Sequence, residues 1–179
     1  METGSVNDLK TFVEVKSFGD ILPKDGTNIR SPYEHQKKAM EALDKINKEE
    51  SYSTLVVLPT GGKTYTASMW LLKNAIDKKK KILWIAHRQM LLDQAAESFQ
   101  KFAYTEVVPH ISSFRFRIVS GASSHDRTID IKADDNLLII SKDSIGRNIE
   151  RLDKWLAGEK ELYLVVDEAH HSTAKTYRK

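Results

Sequence analysis

The sequence predicts an α/β fold with a largely parallel sheet. Five short apolar segments typical of buried strands alternate along the chain with segments of helical periodicity, which is the pattern of such a fold. With the exception of Gln36, the candidate functional motifs follow directly after these strands, at the edge where parallel sheets bind ligands. The 179 residues allow one complete domain with a hydrophobic core, or one domain with extra arms.

The first part of the chain predicts a short strand, a helix, a buried strand and a second helix, in that order. Residues 1–28 look like a peripheral segment, in which residues 11–15 alternate like a short strand. Ser31 and the proline after it are typical of the N-cap and first turn of a helix. The continuously apolar run Leu55–Leu58 predicts a strand buried on both faces. From Tyr65 onward the chain is apolar nearly all round, so we expect a central, well-covered helix.

The alternation of strand and helix then continues along the chain. In order, it predicts a strand at Lys81–Ala86, a helix at Arg88–Phe102, strands at Phe114–Val119 and Leu137–Ile140, a helix at Ile145–Leu156 and a strand at Leu162–Val166. In the third strand, the alternation places Arg115 and Arg117 on the outward face. Strands that alternate with helices favour parallel pairing, because each helix returns the chain to the starting edge of the sheet.

Composition is that of a soluble globular chain and excludes several kinds of site. Hydrophobic residues make up 40% and charged residues 30%, and no apolar run approaches the roughly 18 residues of a membrane helix. The first five residues lack a signal-peptide pattern, so we expect no membrane partner. The absence of cysteine excludes disulfides, thiolate metal sites and cysteine nucleophiles, and fits a cytoplasmic protein. The net charge of +3 is compatible with nucleic-acid binding but too small to indicate it.

The residues Gly61, Gly62, Lys63 and Thr64 have the arrangement of a phosphate-binding loop between a strand and a helix. Glycines let successive backbone N–H groups turn toward an anion, and the helix N-terminus adds its positive end. In such loops the lysine reaches the β- and γ-phosphates and the threonine hydroxyl ligates Mg²⁺. On these four residues alone, an ordinary glycine turn before a helix is the alternative interpretation.

This loop is one residue shorter than the pattern G-x-x-x-x-G-K-[ST], which would place a glycine where Val57 stands. One missing residue shortens the reach of the loop by up to about 3.5 Å. Three explanations stay open: the loop closes differently, the nucleotide site is damaged, or the recorded sequence lacks one glycine. We favour the last, because the pattern around the loop is intact.

An acidic pair, Asp167 and Glu168, follows the last predicted strand. An aspartate at a strand end can hold Mg²⁺ through water, and a neighbouring glutamate can orient or deprotonate an attacking water. A solvated acidic turn that caps a following helix is the alternative. Because Lys63 and Thr64 lie upstream, the combination favours a Mg²⁺–nucleotide site.

Residues 58–64 together with residues 167–170 resemble motifs I and II of superfamily 2 helicases and translocases. Residues 167–170 have the DEAH form of motif II. Residues 82–95 resemble motif Ia, and residues 138–145 resemble motif Ib, with Ser141 where threonine is usual. The ending is especially similar to the Res-subunit branch, which includes the translocating subunits of type I and type III restriction enzymes. The resemblance covers residues 29–179. It implies a RecA-like P-loop NTPase domain, with helices on both faces of the sheet, that acts as the first motor domain of an ATP-dependent helicase or translocase.

The resemblance also implies roles for individual residues. Lys63 would contact the β- and γ-phosphates of ATP, Thr64 and Asp167 would hold Mg²⁺, and Glu168 would activate the hydrolytic water. His170 would couple the nucleotide state to a second motor domain. The residues implied to bind ATP are Gln36, Thr60, Gly61, Gly62, Lys63 and Thr64.

Gln36 resembles the glutamine that reads adenine in related enzymes, with a solvated surface glutamine as the alternative. His87, Arg88 and Ser141 would touch the nucleic-acid backbone, and contacts of this kind position a strand without reading its sequence. For Arg88, a surface charge at a helix start is the alternative.

The resemblance further implies an incomplete motor domain, because the sequence stops shortly after motif II and carries no motif III and no second RecA-like domain. We therefore expect little or no ATPase activity from these residues alone. DNA rather than RNA is expected by analogy with the Res branch. Two other functions stay open: a nucleotide-gated nucleic-acid-binding or sensing module that does not separate strands, and a degenerate P-loop scaffold that has lost ATP.

Overall fold

A computed structural model describes residues 16–28, 30–49, 51–58, 62–146 and 149–168. Within these residues one sheet contains the strands β1 (Phe18–Ile21), β2 (Lys81–Ala86), β3 (Phe114–Val119), β4 (Leu137–Ser141) and β5 (Leu162–Val166). Their spatial order is β1-β3-β4-β2-β5. Strands β2 to β5 run parallel to one another, whereas β1 pairs with β3 in the antiparallel direction. The predicted α/β fold with a largely parallel sheet is confirmed.

Helices cover both faces of this sheet. They are α1 (Glu34–Ile46), α2 (Lys63–Asn74), α3 (Gln89–Phe102), α4 (Lys142–Ile145) and α5 (Ile149–Leu156), with short 3₁₀ turns at Ile76–Lys78 and Thr128–Asp130. Helices α1, α2 and α3 pack on one face, and α5 packs on the other. The single helix predicted over Ile145–Leu156 is therefore two helices, and residues 147–148 between them lie outside the described part of the chain.

The central strand β2 shows how the sequence builds two cores. All six of its residues are buried, as the continuous apolar run predicts. Because successive side chains point to opposite faces, Ile82 and Trp84 pack into the larger core with α2 and α3, while Leu83 and Ile85 pack into the smaller core with Trp155 of α5. Strand β2 is thus fixed by side-chain packing on both faces of the sheet.

The prediction of a buried strand at Leu55–Leu58 is wrong. The segment belongs to no strand, and the side chains of Leu55 and Val57 are 71% and 76% exposed. Val56 packs against the larger core, so the segment lies along the surface with alternate side chains facing outward. A strand is buried on both faces only when ladder partners hold it in the sheet, and this segment has none in the described residues.

The prediction that Arg117 points outward is also wrong, since its side chain is only 2% exposed. Its Nε donates to Asp135 Oδ2 at 2.7 Å, and Nη1 bonds Asp126. Burial by itself lowers the pKa of Arg117, but the hydrogen bonds and charges of Asp135 and Asp126 outweigh it and raise that pKa above its ordinary value. Two carboxylates therefore keep a buried guanidinium charged on β3. Arg115 is partly exposed and pairs with Asp134.

Helix α1 begins later than the sequence predicts. Its N-cap is Tyr33 rather than Ser31, and its first residue is Glu34. The reason lies one turn into the helix, where Gln36 Oε1 accepts a hydrogen bond of 2.9 Å from the Tyr33 N–H. A side chain that reaches back to the N-cap amide fixes the first turn at that position.

Candidate nucleotide and nucleic-acid site

The end of the phosphate loop meets the acidic pair at the carboxyl edge of the sheet. Lys63 is the first residue of α2, and its Nζ lies 3.9 Å from Glu168 Oε1, just beyond β5. Both side chains are partly exposed, so the pair is open to solvent and to a ligand. The structure thus brings together one residue from each half of the predicted nucleotide site.

Gly62 gives the loop its turn into helix α2. It is the N-cap of α2 with φ +87°, a left-handed conformation that glycine adopts without steric cost. Its carbonyl accepts from the Thr66 N–H at 2.9 Å and from the Thr66 hydroxyl at 2.8 Å, which closes the first helical turn. The first N–H groups of a helix have no acceptor within the helix, so this end of α2 favours a bound anion.

Gln36 packs directly against Gly62. Its side chain is 1% exposed, so the alternative of a solvated surface glutamine is wrong. A Cβ placed on Gly62 would clash with Gln36 Nε2, so a larger residue there would have to displace the buried Gln36 side chain. The predicted adenine-reading residue and the predicted phosphate loop are therefore in contact.

Asp167 extends the ladder of β5 by one residue, because its N–H donates to Ile85 O at 2.8 Å. Burial raises the pKa of Asp167 most, and the Glu168 carboxylate raises it further. A hydrogen bond from the Glu168 N–H, at 2.9 Å, and the charges of Lys63 and His87 act in the opposite direction. The net pKa lies above its ordinary value, so the carboxylate sits where an additional cation would favour its charged form.

Glu168 has φ +53°, in the left-handed region that residues with a Cβ rarely adopt. This conformation turns the chain sharply after β5. The glutamate side chain then lies toward Lys63, while Asp167 remains in the ladder. Strain of this kind is typical of functional sites.

The donor set at this edge fits Mg²⁺ bound together with a triphosphate. Mg²⁺ prefers oxygen ligands and keeps several waters, so one carboxylate, one hydroxyl and substrate phosphates suffice. Asp167 supplies a carboxylate whose pKa is raised mainly by burial, and Thr64 supplies a hydroxyl on the first turn of α2. The described residues contain no cluster of three or more His, Cys, Asp or Glu side chains, which excludes only an all-protein metal cage in that part of the chain.

The predicted nucleic-acid contacts follow β2 and β4 on the same edge. Arg88 is exposed and is the N-cap of α3, and His87 lies close enough to Asp167 to lower the pKa of that carboxyl. Ser141 is buried, and its Oγ accepts from the Ser144 N–H at 3.3 Å and bonds the Ser144 hydroxyl at 2.8 Å. Its side chain thus caps α4, a role that the motif comparison did not foresee.

Sequence reasoning missed a contact between Arg30 and helix α2. The guanidinium of Arg30 stacks 4.4 Å from the centre of the Tyr65 ring, and the Tyr65 hydroxyl donates to Arg30 O at 3.2 Å. This stacking fixes the entry to α1 against the helix that begins with Lys63. The sequence did contain a hint of this contact, because Tyr65 lies two positions after Lys63. The apolar pattern of the helix, however, indicated only that Tyr65 would be a core residue.

Three predicted site residues, Thr60, Gly61 and His170, lie outside the described residues. The short strand predicted over residues 11–15 lies outside them as well. Among the helices that the structure describes, none has the length and apolarity to cross a membrane.

Comparison with known proteins gives one family match. A sequence model of the family described as "Type III restriction enzyme, res subunit" matches residues 29–179. No curated protein matches the chain. The matched region contains every residue of the site described above.

Proposed function

Because the chain belongs to the type III restriction enzyme res subunit family, whose domains are helicase-like ATP-dependent nucleic-acid motors of RecA-like fold, we propose that it binds ATP and, together with a second RecA-like domain, hydrolyses it to drive translocation on DNA. The observation that carries the proposal is the 3.9 Å approach of Lys63 to Glu168 at the carboxyl edge of the sheet. A cation at a helix N-terminus can bind the β- and γ-phosphates, and a glutamate beside it can orient the attacking water.

The Lys63–Glu168 pair suggests how nucleotide binding would start the reaction. Without nucleotide, each charge partly neutralises the other. When a triphosphate binds at the start of α2, Lys63 would turn to the β- and γ-phosphates, and Glu168 would become the base for an attacking water. The water oxygen then bonds to the γ-phosphorus, the bond to the bridging oxygen breaks, and Glu168 accepts the water's proton.

Other residues of the site would hold the reactants in place. Bound Mg²⁺ would neutralise charge on the β- and γ-phosphates, and Thr64 and Asp167 would hold it. Gln36, buried against Gly62, would bind the adenine end of the nucleotide, as the adenine-reading glutamine does in related motors. Thr60 and Gly61 would complete the loop around the phosphates.

DNA would lie along the carboxyl edge of the sheet, across the ends of β2 and β4. Arg88 and His87 would contact its phosphates, and Ser141 would contribute by fixing the turn into α4. His170 would transmit the nucleotide state to a second RecA-like domain. We propose a cytoplasmic location, because a sequence without cysteine fits a reducing compartment.

A titration with Mg-ATP, followed by thermal unfolding, tests the nucleotide site. Ligand at 100 times its dissociation constant adds about 2.7 kcal/mol to the free energy of unfolding. Absence of a shift would contradict the proposal and favour the degenerate scaffold, a possibility that the short loop and the exposed Leu55–Leu58 segment support. A nucleotide-gated binding module would instead show ATP-dependent DNA affinity without strand displacement or movement along a duplex.

A further inference from the structure

Outside the nucleotide site, a chain of hydrogen bonds joins the loop after β3 to helix α3. The Ser120 hydroxyl lies 2.6 Å from His125 Nδ1, and His125 Nε2 lies 2.8 Å from Asp93 Oδ1 on α3. Ser120 Oγ also accepts from the Ala122 N–H at 3.0 Å. Ser120 and His125 are buried, whereas the Asp93 side chain is 39% exposed.

The chemistry of the groups gives this chain a direction. An ionised carboxylate can only accept a hydrogen bond, so His125 Nε2 must carry the proton that bonds Asp93. In a neutral imidazole Nδ1 is then an acceptor, and it accepts from the Ser120 hydroxyl. Ser120 is only 6% exposed, so its hydroxyl is not open to a substrate and we do not assign it as a nucleophile. The chain is therefore a mechanical link between a loop and a helix.

The other end of the same loop is fixed to the sheet. Asp126 bonds the buried Arg117, and its Oδ1 accepts from the Ser17 hydroxyl at 2.6 Å. Its backbone N–H donates to Ile118 O at 3.0 Å. Residues 121–124 thus connect two ends that are fixed by hydrogen bonds. A Cβ added at Gly121 would meet open space, so this part of the loop faces solvent.

The linked loop and helix lie at the same edge of the sheet as the nucleic-acid candidates. The loop follows β3, α3 follows β2 with Arg88 as its N-cap, and both strands run parallel to β4, which separates them. A change in the position of the loop relative to α3 would therefore change how the loop and the helix that begins after Arg88 are arranged along this edge.

We propose that His125 is a positioning residue for nucleic-acid binding: through Asp93 it holds the loop 120–126 in a fixed position relative to the helix that presents Arg88. This inference rests on the proposed function, because it takes the carboxyl edge as the path of DNA. His125 itself is buried and does not touch the nucleic acid.

The test measures affinity for a fluorescein-labelled 20-nucleotide single-stranded DNA, and for its duplex, by fluorescence anisotropy. His125→Ala and Asp93→Ala should each weaken binding about five- to tenfold, the effect of losing one or two ordering hydrogen bonds. The double variant should bind no more weakly than either single variant, because both remove the same link. Asp93→Asn keeps an oxygen that can accept from Nε2, so its affinity should stay within about twofold of the unchanged protein.

Two controls separate positioning from folding. His110 forms a similar pair with Asp77, at 2.6 Å, but precedes β3 at the opposite edge, so His110→Ala should leave DNA affinity unchanged. Asp93 is partly exposed, so Asp93→Ala breaks the link without opening the core. Nitrogen-15 spectra of the imidazole should show the Nε2–H tautomer for His125 in the unchanged protein.

The outcomes distinguish this inference from the proposed function. Unchanged DNA affinity in both His125→Ala and Asp93→Ala, while the unchanged protein binds DNA, overturns the positioning role alone. Failure of the unchanged protein to bind either DNA overturns the proposed DNA path, and the positioning role with it. Additive losses in the double variant also contradict a single link.

Discussion

The ammonium group of Lys63 lies 3.9 Å from the carboxylate of Glu168, with one residue at the start of α2 and the other directly after β5. Gly62, the residue before Lys63, packs against Gln36. Asp167, the residue before Glu168, extends strand β5. Three separate elements therefore bring together the residues of the proposed nucleotide site. Each element offers a variant with a distinct expected effect.

Lys63→Ala should abolish the thermal stabilisation by Mg-ATP, because it removes the cation that meets the phosphates. In the unchanged protein, saturating nucleotide should raise the melting temperature by about 5–10 °C, a value that follows from about 2.7 kcal/mol in a domain of this size. Lys73→Ala is the matched control, since Lys73 lies in the last turn of the same helix and is exposed. An equal shift in Lys63→Ala and Lys73→Ala would contradict the assignment.

Asp167→Asn should stabilise the ligand-free protein at pH 7 and remove the part of the ATP response that depends on Mg²⁺. The pKa of Asp167 is raised in the folded state, mainly by burial. The folded state therefore binds this proton more tightly than the unfolded state, and stability falls as pH rises from about 4 through the raised pKa. Thermal unfolding between pH 4 and pH 8 should show the two melting temperatures moving apart as pH rises. A constant difference would mean that the charge of Asp167 is not the cause.

Gly62→Ala should destabilise the protein by about 1–3 kcal/mol, because it forces a left-handed conformation and pushes against Gln36. Denaturant unfolding measures the change as a lower midpoint. Gly146→Ala serves as the control: its Cβ would meet open space and its φ is −62°, so the change should stay within about 0.5 kcal/mol. If Gln36→Ala in the Gly62→Ala background recovers none of the loss, the contact between the two residues is not responsible.

Asp135→Ala should cost about 3 kcal/mol, the low end of the usual effect of removing one partner from a buried ion pair, because Asp126 still bonds Arg117. Asp135 is fully buried and accepts from Arg117 Nε at 2.7 Å and from the Lys132 N–H at 2.8 Å. By contrast, Lys38→Ala removes only an exposed pair with Glu34 and should change the free energy of unfolding by less than about 0.5 kcal/mol. Similar midpoints for the two variants in urea would show that the Arg117 cluster contributes little.

Elements with a strong local pattern could be predicted from sequence, because a short run of apolar side chains favours a strand whether it is buried, like β2, or partly exposed, like β5. Lys81–Ala86 and Leu162–Val166 are strands with the predicted bounds, and the acidic pair follows the second of them. Leu55–Leu58 is equally apolar, yet it is not a strand, since a local pattern records apolarity and not whether a ladder partner is present. The predicted sheet was therefore right in kind and wrong at that segment.

Long-range pairing explains most of what the sequence did not indicate. Alternation places Arg117 outward, but Asp135, two residues before β4, pairs with its guanidinium inside the core. Gln36 looks like a surface residue until Gly62, far along the chain, packs against it. The link from Asp93 to His125 is likewise invisible to any local pattern. The acidic pair and the glycine–lysine motif could each be recognised locally, because each lies in a short stretch of sequence. Their joint nucleotide site stays a prediction.

The antiparallel strand β1 bears on where the domain should be cut for recombinant production. Ser17 lies just before β1, where its carbonyl accepts from the Ile118 N–H and its hydroxyl bonds Asp126. A product starting at residue 29, where the family match begins, would lose both contacts and expose the backbone of β3. The unpaired backbone groups of an exposed edge strand pair with other chains, so such a shortened product should aggregate. A cut placed ahead of Ser17 should yield monodisperse material.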